Sequence, residues 1–253
     1  MLEIDRYALA RAAQLQAEIV GTPDTASGVF TGGHYGVYEF HPVVAKLQLY
    51  CSEDLGAFYL DILKDRLYTT APKSLARRSA QTALWTITHA MLRWMAPFLS
   101  FTAEEAWQVF APAESQAILV QTYWRFDAPD AALLVKWARI REIRDVVNKE
   151  IEAVRSAGRV GSSLMAEVTL GVDTADRALL ETLGEDLKYV TITSKAQLAD
   201  TAQLAVTVTP SQAVKCDRCW HYRDDVGAQA AHRTICARCV ANLFGAGETR
   251  RLA

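Results

Sequence analysis

Four cysteines near the end of the sequence, Cys216, Cys219, Cys236 and Cys239, stand in a C-x2-C-x16-C-x2-C pattern within the 27 residues from Val214 to Val240. No other feature constrains the fold as much. Each C-x-x-C pair can sit on a tight knuckle that aims two thiolates at one ion. The residues between the pairs are enough for the second knuckle to fold back and complete a tetrahedron of soft ligands. One structural zinc ion is the expectation, and two disulfides are the competing use of four thiols. His221 and His232 lie inside the module and either could replace a thiolate, but four cysteines already fill a tetrahedron. A closed four-thiolate site leaves no position for water, so the expected metal is structural and not catalytic.

The 253 residues, 51% of them apolar, suffice for one or two cores beside such a module. The sequence holds no apolar run of about 18 residues and no leading stretch with a basic start and an apolar middle. Neither a membrane span nor a secretory signal is expected, and a cytoplasmic setting is. Reducing cytosol favours thiolate–metal ligation over disulfides. Cys51 lies in a helical pattern without a nearby partner and reads as a packed core thiol. The formal net charge is −2, yet residues 211–253 carry seven Lys and Arg against four Asp and Glu. Four thiolates around one Zn²⁺ add about −2, which leaves this segment only mildly cationic.

Apolar residues recur at three- and four-residue steps from Glu3 to about Val20, from His41 to Tyr68 and from Pro72 to Met95, predicting three helices. Residues 21–36, rich in Gly, Thr and Pro, read as an irregular loop. A capping box at Thr102–Glu105 predicts the start of another helix, containing Trp107 and Phe110. The longest helical pattern runs from Asp130 to Ala157, with Gly158 suited to its stop. The period then falls to two. Strands are expected at Ala166–Val172, at Val190–Thr193 and near Leu204–Thr209, with a helix at about Asp176–Leu183, giving a β-α-β-β unit.

A nucleophile beside a base, separated carboxylates or a phosphate-cradling loop would mark an enzyme, and none stands out. Basic residues carry more. Lys64, Arg66, Lys73, Arg77 and Arg78 crowd a helix junction that could grip phosphates or simply be solvated. In the metal module Arg218, Trp220 and His221 surround the first knuckle and Arg238 sits inside the second. Aromatic faces beside guanidinium groups suit unpaired bases, but the expected role of Trp220 is to cover a small zinc core that has few other apolar residues. The cations of the long helix, from Lys136 to Arg155, alternate with acids and read largely as surface charge.

The segments Leu2–Tyr7, Phe58–Thr69, Ala76–Leu84, Met95–Trp107 and the Cys-Asp-Arg-Cys-Trp-His-Tyr run of Cys216–Tyr222 resemble the C-terminal region of the bacterial isoleucyl-tRNA synthetase family. The helical part is similar in weaker form to valyl-, leucyl- and methionyl-tRNA synthetases, so the cysteine run is what singles out the isoleucine enzyme. The resemblance implies a mainly α chain: a helical-bundle anticodon-binding domain over residues 1–157, a small α+β linking domain over 158–210 and a C-terminal four-cysteine zinc finger over 211–253. It implies Cys216, Cys219, Cys236 and Cys239 as zinc ligands, with isoleucine tRNA and the catalytic body of the same synthetase as partners. Two departures stand against the family pattern. The stretch 21–36 is longer than the usual connection, and nucleotide-binding signatures of the His-Ile-Gly-His and Lys-Met-Ser-Lys-Ser types are absent. The chain is therefore not expected to activate isoleucine alone, and ATP would enter only through a catalytic domain outside it.

Two other readings compete. Some DNA-repair glycosylases carry a similar four-cysteine finger, but they need a reactive N-terminal proline where this chain has Met1-Leu2-Glu3. A protein-docking module, its basic corner facing other protein, is the third possibility.

Overall fold

The 3.6-residue periodicity becomes helix in the computed structural model, which describes residues 1–114 and 116–253. The main helices are α1 (Glu3–Ile19), α2 (Phe40–Leu49), α3 (Asp61–Thr69), α4 (Leu75–Met95), α5 (Ser100–Phe110), α6 (Ala131–Ser156), α7 (Thr174–Glu181) and α8 (Ala237–Phe244). The chain divides into two compact units. One holds Met1–Ile4, Phe58–Ala80 and Val135–Ala253, and the other holds Asp5–Ala57 and Gln81–Leu134. Among the described residues no helix is long and apolar enough to cross a membrane.

In the unit formed by residues 5–57 and 81–134, α1 buries Ala8, Ala12, Leu15 and Ile19 along one stripe. Buried Gln16 is fully used: it accepts from Trp94 Nε1 at 2.8 Å and donates to the Trp124 carbonyl at 2.7 Å. Leu92, Ala96, Ala103, Trp107 and Ile118 form an apolar cluster beside it. Residues 21–36 contain a two-residue antiparallel pairing, Thr22–Pro23 with Phe30–Thr31, and a short helical turn at Gly33–Gly36. Gly21, at φ 94°, lies so close to the backbone of Thr31 that a Cβ there would collide with it.

Two expectations fail in this part of the chain. The capping box does not form: α5 already begins at Ser100, and Ala103 donates to the Leu99 carbonyl at 2.8 Å. Thr102 and Glu105 therefore lie inside the helix, where the amides of that turn are already used, while the neighbouring Glu104 accepts from the Ile118 N–H at 2.7 Å. Cys51 is exposed and not packed. Tyr50–Leu60 is wound with the wider i→i+5 turn, which carries more residues per turn and shifts the buried face away from where a 3.6 period places it.

In the other unit, α6 ends as read, with Gly158 at φ 72° donating to the Arg155 carbonyl. The sheet that follows has β1 (Ala166–Val172) at its centre, parallel to β2 (Lys195–Asp200) and antiparallel to β3 (Ala205–Pro210). Ala166, Val168, Leu170 and Val172 are buried, in keeping with the alternation. The crossover from β1 to β2 carries α7, capped by Asp173 through the Asp176 N–H at 2.9 Å. Val190–Thr193 is not a strand. Val190 closes a short helix, Ile192 takes a left-handed φ of 53°, and the Thr191 and Thr193 hydroxyls bond each other at 2.8 Å. β-branched residues whose hydroxyls bond locally form a turn here, and the strand starts two residues later.

The cations of α6 are less ordinary than their alternation suggests. Arg139 grips Asp176 of α7 with two hydrogen bonds, at 2.9 and 2.7 Å. Arg144 is buried, donating to the Val190 carbonyl at 2.8 Å and to Asp61 of α3 at 3.0 Å. Together they fasten α6 to α3 and to the α/β part, which sets the floor on which the metal module rests.

Candidate metal centre and nucleic-acid interface

The first knuckle is a tight antiparallel turn between β4 (Val214–Lys215) and β5 (Tyr222–Arg223). Its closure comes from the backbone: Cys216 N–H donates to the His221 carbonyl and Trp220 N–H to the Cys216 carbonyl, each at 2.9 Å. The second knuckle is the start of α8, with Cys236 as the residue before its first turn and Cys239 within it. All four cysteines are buried, and their sulfurs lie within 4.8 Å of one another. The Cys216–Cys239 and Cys219–Cys236 sulfur pairs are both 3.8 Å apart. A tetrahedron of sulfurs about 2.3 Å from a zinc ion has an edge of about 3.8 Å, whereas a disulfide needs about 2.05 Å. The donor set therefore fits a structural zinc ion and excludes the disulfide alternative. The N-terminal end of α8 adds a favourable dipole for thiolates. Val226 and Ile235 cover the cluster.

His221 is not part of the sulfur cluster. Its ring is buried, with Nδ1 3.2 Å from the Cys219 carbonyl oxygen and the ring edge against Tyr189. Burial lowers its pKa to about 4, with Asp65 opposing the shift, so it is neutral at physiological pH. Arg238 is also turned inward. It donates from Nη2 to Asp65 Oδ2 and to Thr69 Oγ1, both at 2.6 Å, and from Nε to Glu248 at 2.9 Å. Arg66 is 1% exposed. Among the candidates drawn from the sequence, these three are interior groups, and Arg238 and His221 face the junction of α3 with the metal module.

Of the remaining candidates, Lys64, Arg218 and Trp220 line one cleft, and Lys73, Arg77 and Arg78 do not line it. Lys64, Lys73 and Arg78 are exposed, Lys64 being paired with Asp61 at 2.9 Å. Arg77 is half-buried and donates to the Leu67 carbonyl. Arg218 donates to the Thr69 carbonyl at 2.7 Å and to the Tyr68 carbonyl at 3.4 Å, and so pins the first knuckle to the end of α3. Trp220 does not cover the zinc core. Its backbone takes a left-handed φ of 64°, which swings the indole outward to 60% exposure with Lys215 Nζ 5.3 Å from the ring.

Between α3, residues 162–164 and the knuckle lies a mostly apolar cleft of about 530 Å³. Tyr68, 75% exposed, and Trp220 both line it, as do Lys64, Lys215 and Arg218. Sequence reasoning passed over Tyr68, Lys215 and the serines at 162 and 163. An exposed tyrosine one turn beyond the basic residues of a helix was the available signal for the first. Nothing local marked the others, since only the fold brings them to the cleft.

The helical body and the four-thiolate knuckle joined to it match tRNA-ligase families over two stretches. Residues 31–170 match the family described as the anticodon-binding domain of tRNA ligase, and the chain belongs to it. Residues 215–242 match a zinc finger described as found in FPG and IleRS. The similar proteins are isoleucine–tRNA ligases. The chain is 56% identical over 259 residues to that of Ralstonia pickettii strain 12J, covering 100% of this chain and 26% of the relative. It is 56% identical over 256 residues to that of Cupriavidus taiwanensis, covering 98% of this chain and 25% of the relative. With that of Burkholderia cenocepacia strain J2315 it shares 56% identity over 257 residues, 100% of this chain and 26% of the relative. The chain thus spans about a quarter of the length of the curated relatives it matches. An anticodon-binding family implies tRNA binding.

Proposed function

We propose that this chain holds the anticodon arm of isoleucine tRNA in the cytoplasm, so that the acceptor end reaches a catalytic body of isoleucine–tRNA ligase elsewhere. Its contribution to ATP-dependent aminoacylation is positioning. Residues 1–157 serve as the helical grip, 158–210 as the link and 211–253 as the zinc-braced contact. The observation that carries this reading is the pair of exposed aromatics, Tyr68 and Trp220, on one cleft with Lys64, Lys215 and Arg218 around it. Splayed bases stack on such faces for about 1–3 kcal/mol each, and the cations meet the phosphates between them. A tryptophan held at positive φ costs about 1–3 kcal/mol of backbone strain, which accords with an indole presented for contact. Lys73, just before α4, and Arg78, in its first turn, are also exposed.

Filter binding at graded salt tests the proposal. Isoleucine tRNA should bind more tightly than a tRNA with a swapped anticodon loop, and removing one phosphate-contacting lysine should reduce the salt slope by about 1. Equal affinity for the two tRNAs rejects anticodon recognition. Because the zinc-finger family is shared with FPG, duplex DNA belongs in the same assay, and tighter binding to it would favour the DNA reading.

A further inference from the structure

Beyond α8 the chain returns toward α3 and buries Arg250 and Ala253. Arg250, 5% exposed, donates to Asp65 of α3, to Glu248 at 3.1 Å and to the Ala253 carbonyl at 3.0 Å. Its guanidinium carbon lies 3.3 Å from the centre of the Tyr189 ring, and that of Arg238 lies 5.0 Å from the same centre. Asp186 accepts from the Leu252 and Ala253 N–H groups at 3.0 and 3.3 Å, and the Leu252 carbonyl accepts from Ile4 at 2.9 Å. Asn242 of α8 holds Glu248 from both sides, at 3.0 and 2.8 Å. Two carboxylates, Asp65 and Glu248, thus face two guanidiniums, Arg238 and Arg250, in a buried and charge-balanced cluster. Such clusters add little net stability compared with an apolar core, while their directional bonds fix geometry.

The geometry fixed here is that of the cleft. Asp65 and Thr69 on α3 anchor Arg238 of the second knuckle, and the Tyr68 and Thr69 carbonyls anchor Arg218 of the first. The seating of the metal module on α3 therefore sets the separation of Tyr68 from Trp220. We propose that residues 245–253 are a latch that locks the metal module onto α3, and that Arg250 is its positioning residue for RNA binding. This rests on the RNA-binding reading of the cleft.

Arg250→Met in the full chain tests it, with amide hydrogen exchange as a readout that needs no RNA. The variant should keep equimolar zinc and native helicity, while exchange in 214–223 and 245–253 speeds up about tenfold or more. Its affinity for isoleucine tRNA should fall about tenfold. Trp220→Ala, costly in the native chain, should cost much less in the Arg250→Met background, because the indole there is already misplaced. Arg250→Lys restores the charge without the planar fork or the stacking on Tyr189, so it should rescue only part of the loss. It carries the same comparison should Arg250→Met lose its zinc. Unchanged exchange overturns the latch. Faster exchange with native tRNA affinity, or fully additive effects of the two substitutions, overturns the positioning role. If the native chain itself binds no tRNA, the functional reading fails while the exchange data still judge the latch.

Discussion

Replacing Cys236 by serine should unfold the metal module and leave the unit formed by residues 5–57 and 81–134 intact. Its polar bonds to α3 fix geometry and add little net stability. Among the described residues, the apolar packing around the four cysteines comes from Val226 and Ile235, with Val240 buried nearby. Full burial of such side chains contributes about 1.5–3 kcal/mol each, less than about 9 kcal/mol for all three. A structural zinc ion in a small module contributes about 10–16 kcal/mol. Native domains are stable by only about 5–15 kcal/mol, so losing most of the metal's contribution leaves the knuckles unfolded. A serine hydroxyl is a poor zinc ligand, and the remaining three thiolates cannot close the tetrahedron. None of the four ligands lies in the unit of residues 5–57 and 81–134, so its protection should not change. The assay is metal content by mass spectrometry after desalting, paired with amide exchange resolved by peptide. Expected are loss of stoichiometric zinc, full exchange across 214–244 and native protection in 81–110. A metal-free chain whose residues 214–244 stay protected would refute the reasoning.

Two further outcomes follow from buried polar groups. Burial raises the Tyr189 phenol from 10.0 to about 12, against the pull of Arg250 and Arg238. Because its folded pKa lies above the unfolded one, the stability it contributes, on the order of 2–3 kcal/mol, is whole below pH 10 and lost as the pH rises through about 12. Denaturant unfolding of Tyr189→Phe should lack this part of the alkaline loss, and an alkaline limb identical to the native chain's would contradict the assignment. Gln16→Leu strips partners from the Trp94 indole N–H and the Trp124 carbonyl, leaving a buried donor unsatisfied at a cost of about 1–3 kcal/mol. Chemical denaturation followed by tryptophan fluorescence should show that loss with zinc content unchanged, and a neutral substitution would mean water replaces the amide.

Patterns that depend on near neighbours were legible before any coordinates. The ends of α1 and α6, the left-handed stop at Gly158 and the buried alternation of β1 follow from local backbone chemistry. The failures have a common origin. Thr102–Glu105 has the right residues for a cap, but the helix already begins at Ser100, with Leu99 as the residue before it, so the box falls inside the helix. Cys51 faces solvent because the turn widens over residues 50–60, which no local pattern announced. Arg66, His221 and Arg238 looked like surface cations or ring donors, since charge in a sequence carries no direction.

The sequence by itself pointed to the four thiolates and to zinc, because tetrahedral thiolate coordination demands a spacing that can be counted along the chain, while the 3.8 Å sulfur separations set the disulfide alternative aside. It also determined which family the helices belong to. Only the tertiary structure decided which cations face outward, that Trp220 and Tyr68 share one cleft, and that Arg250 reaches Asp65. Those relations join residues more than a hundred positions apart, and burial, not composition, selects which side chains meet there.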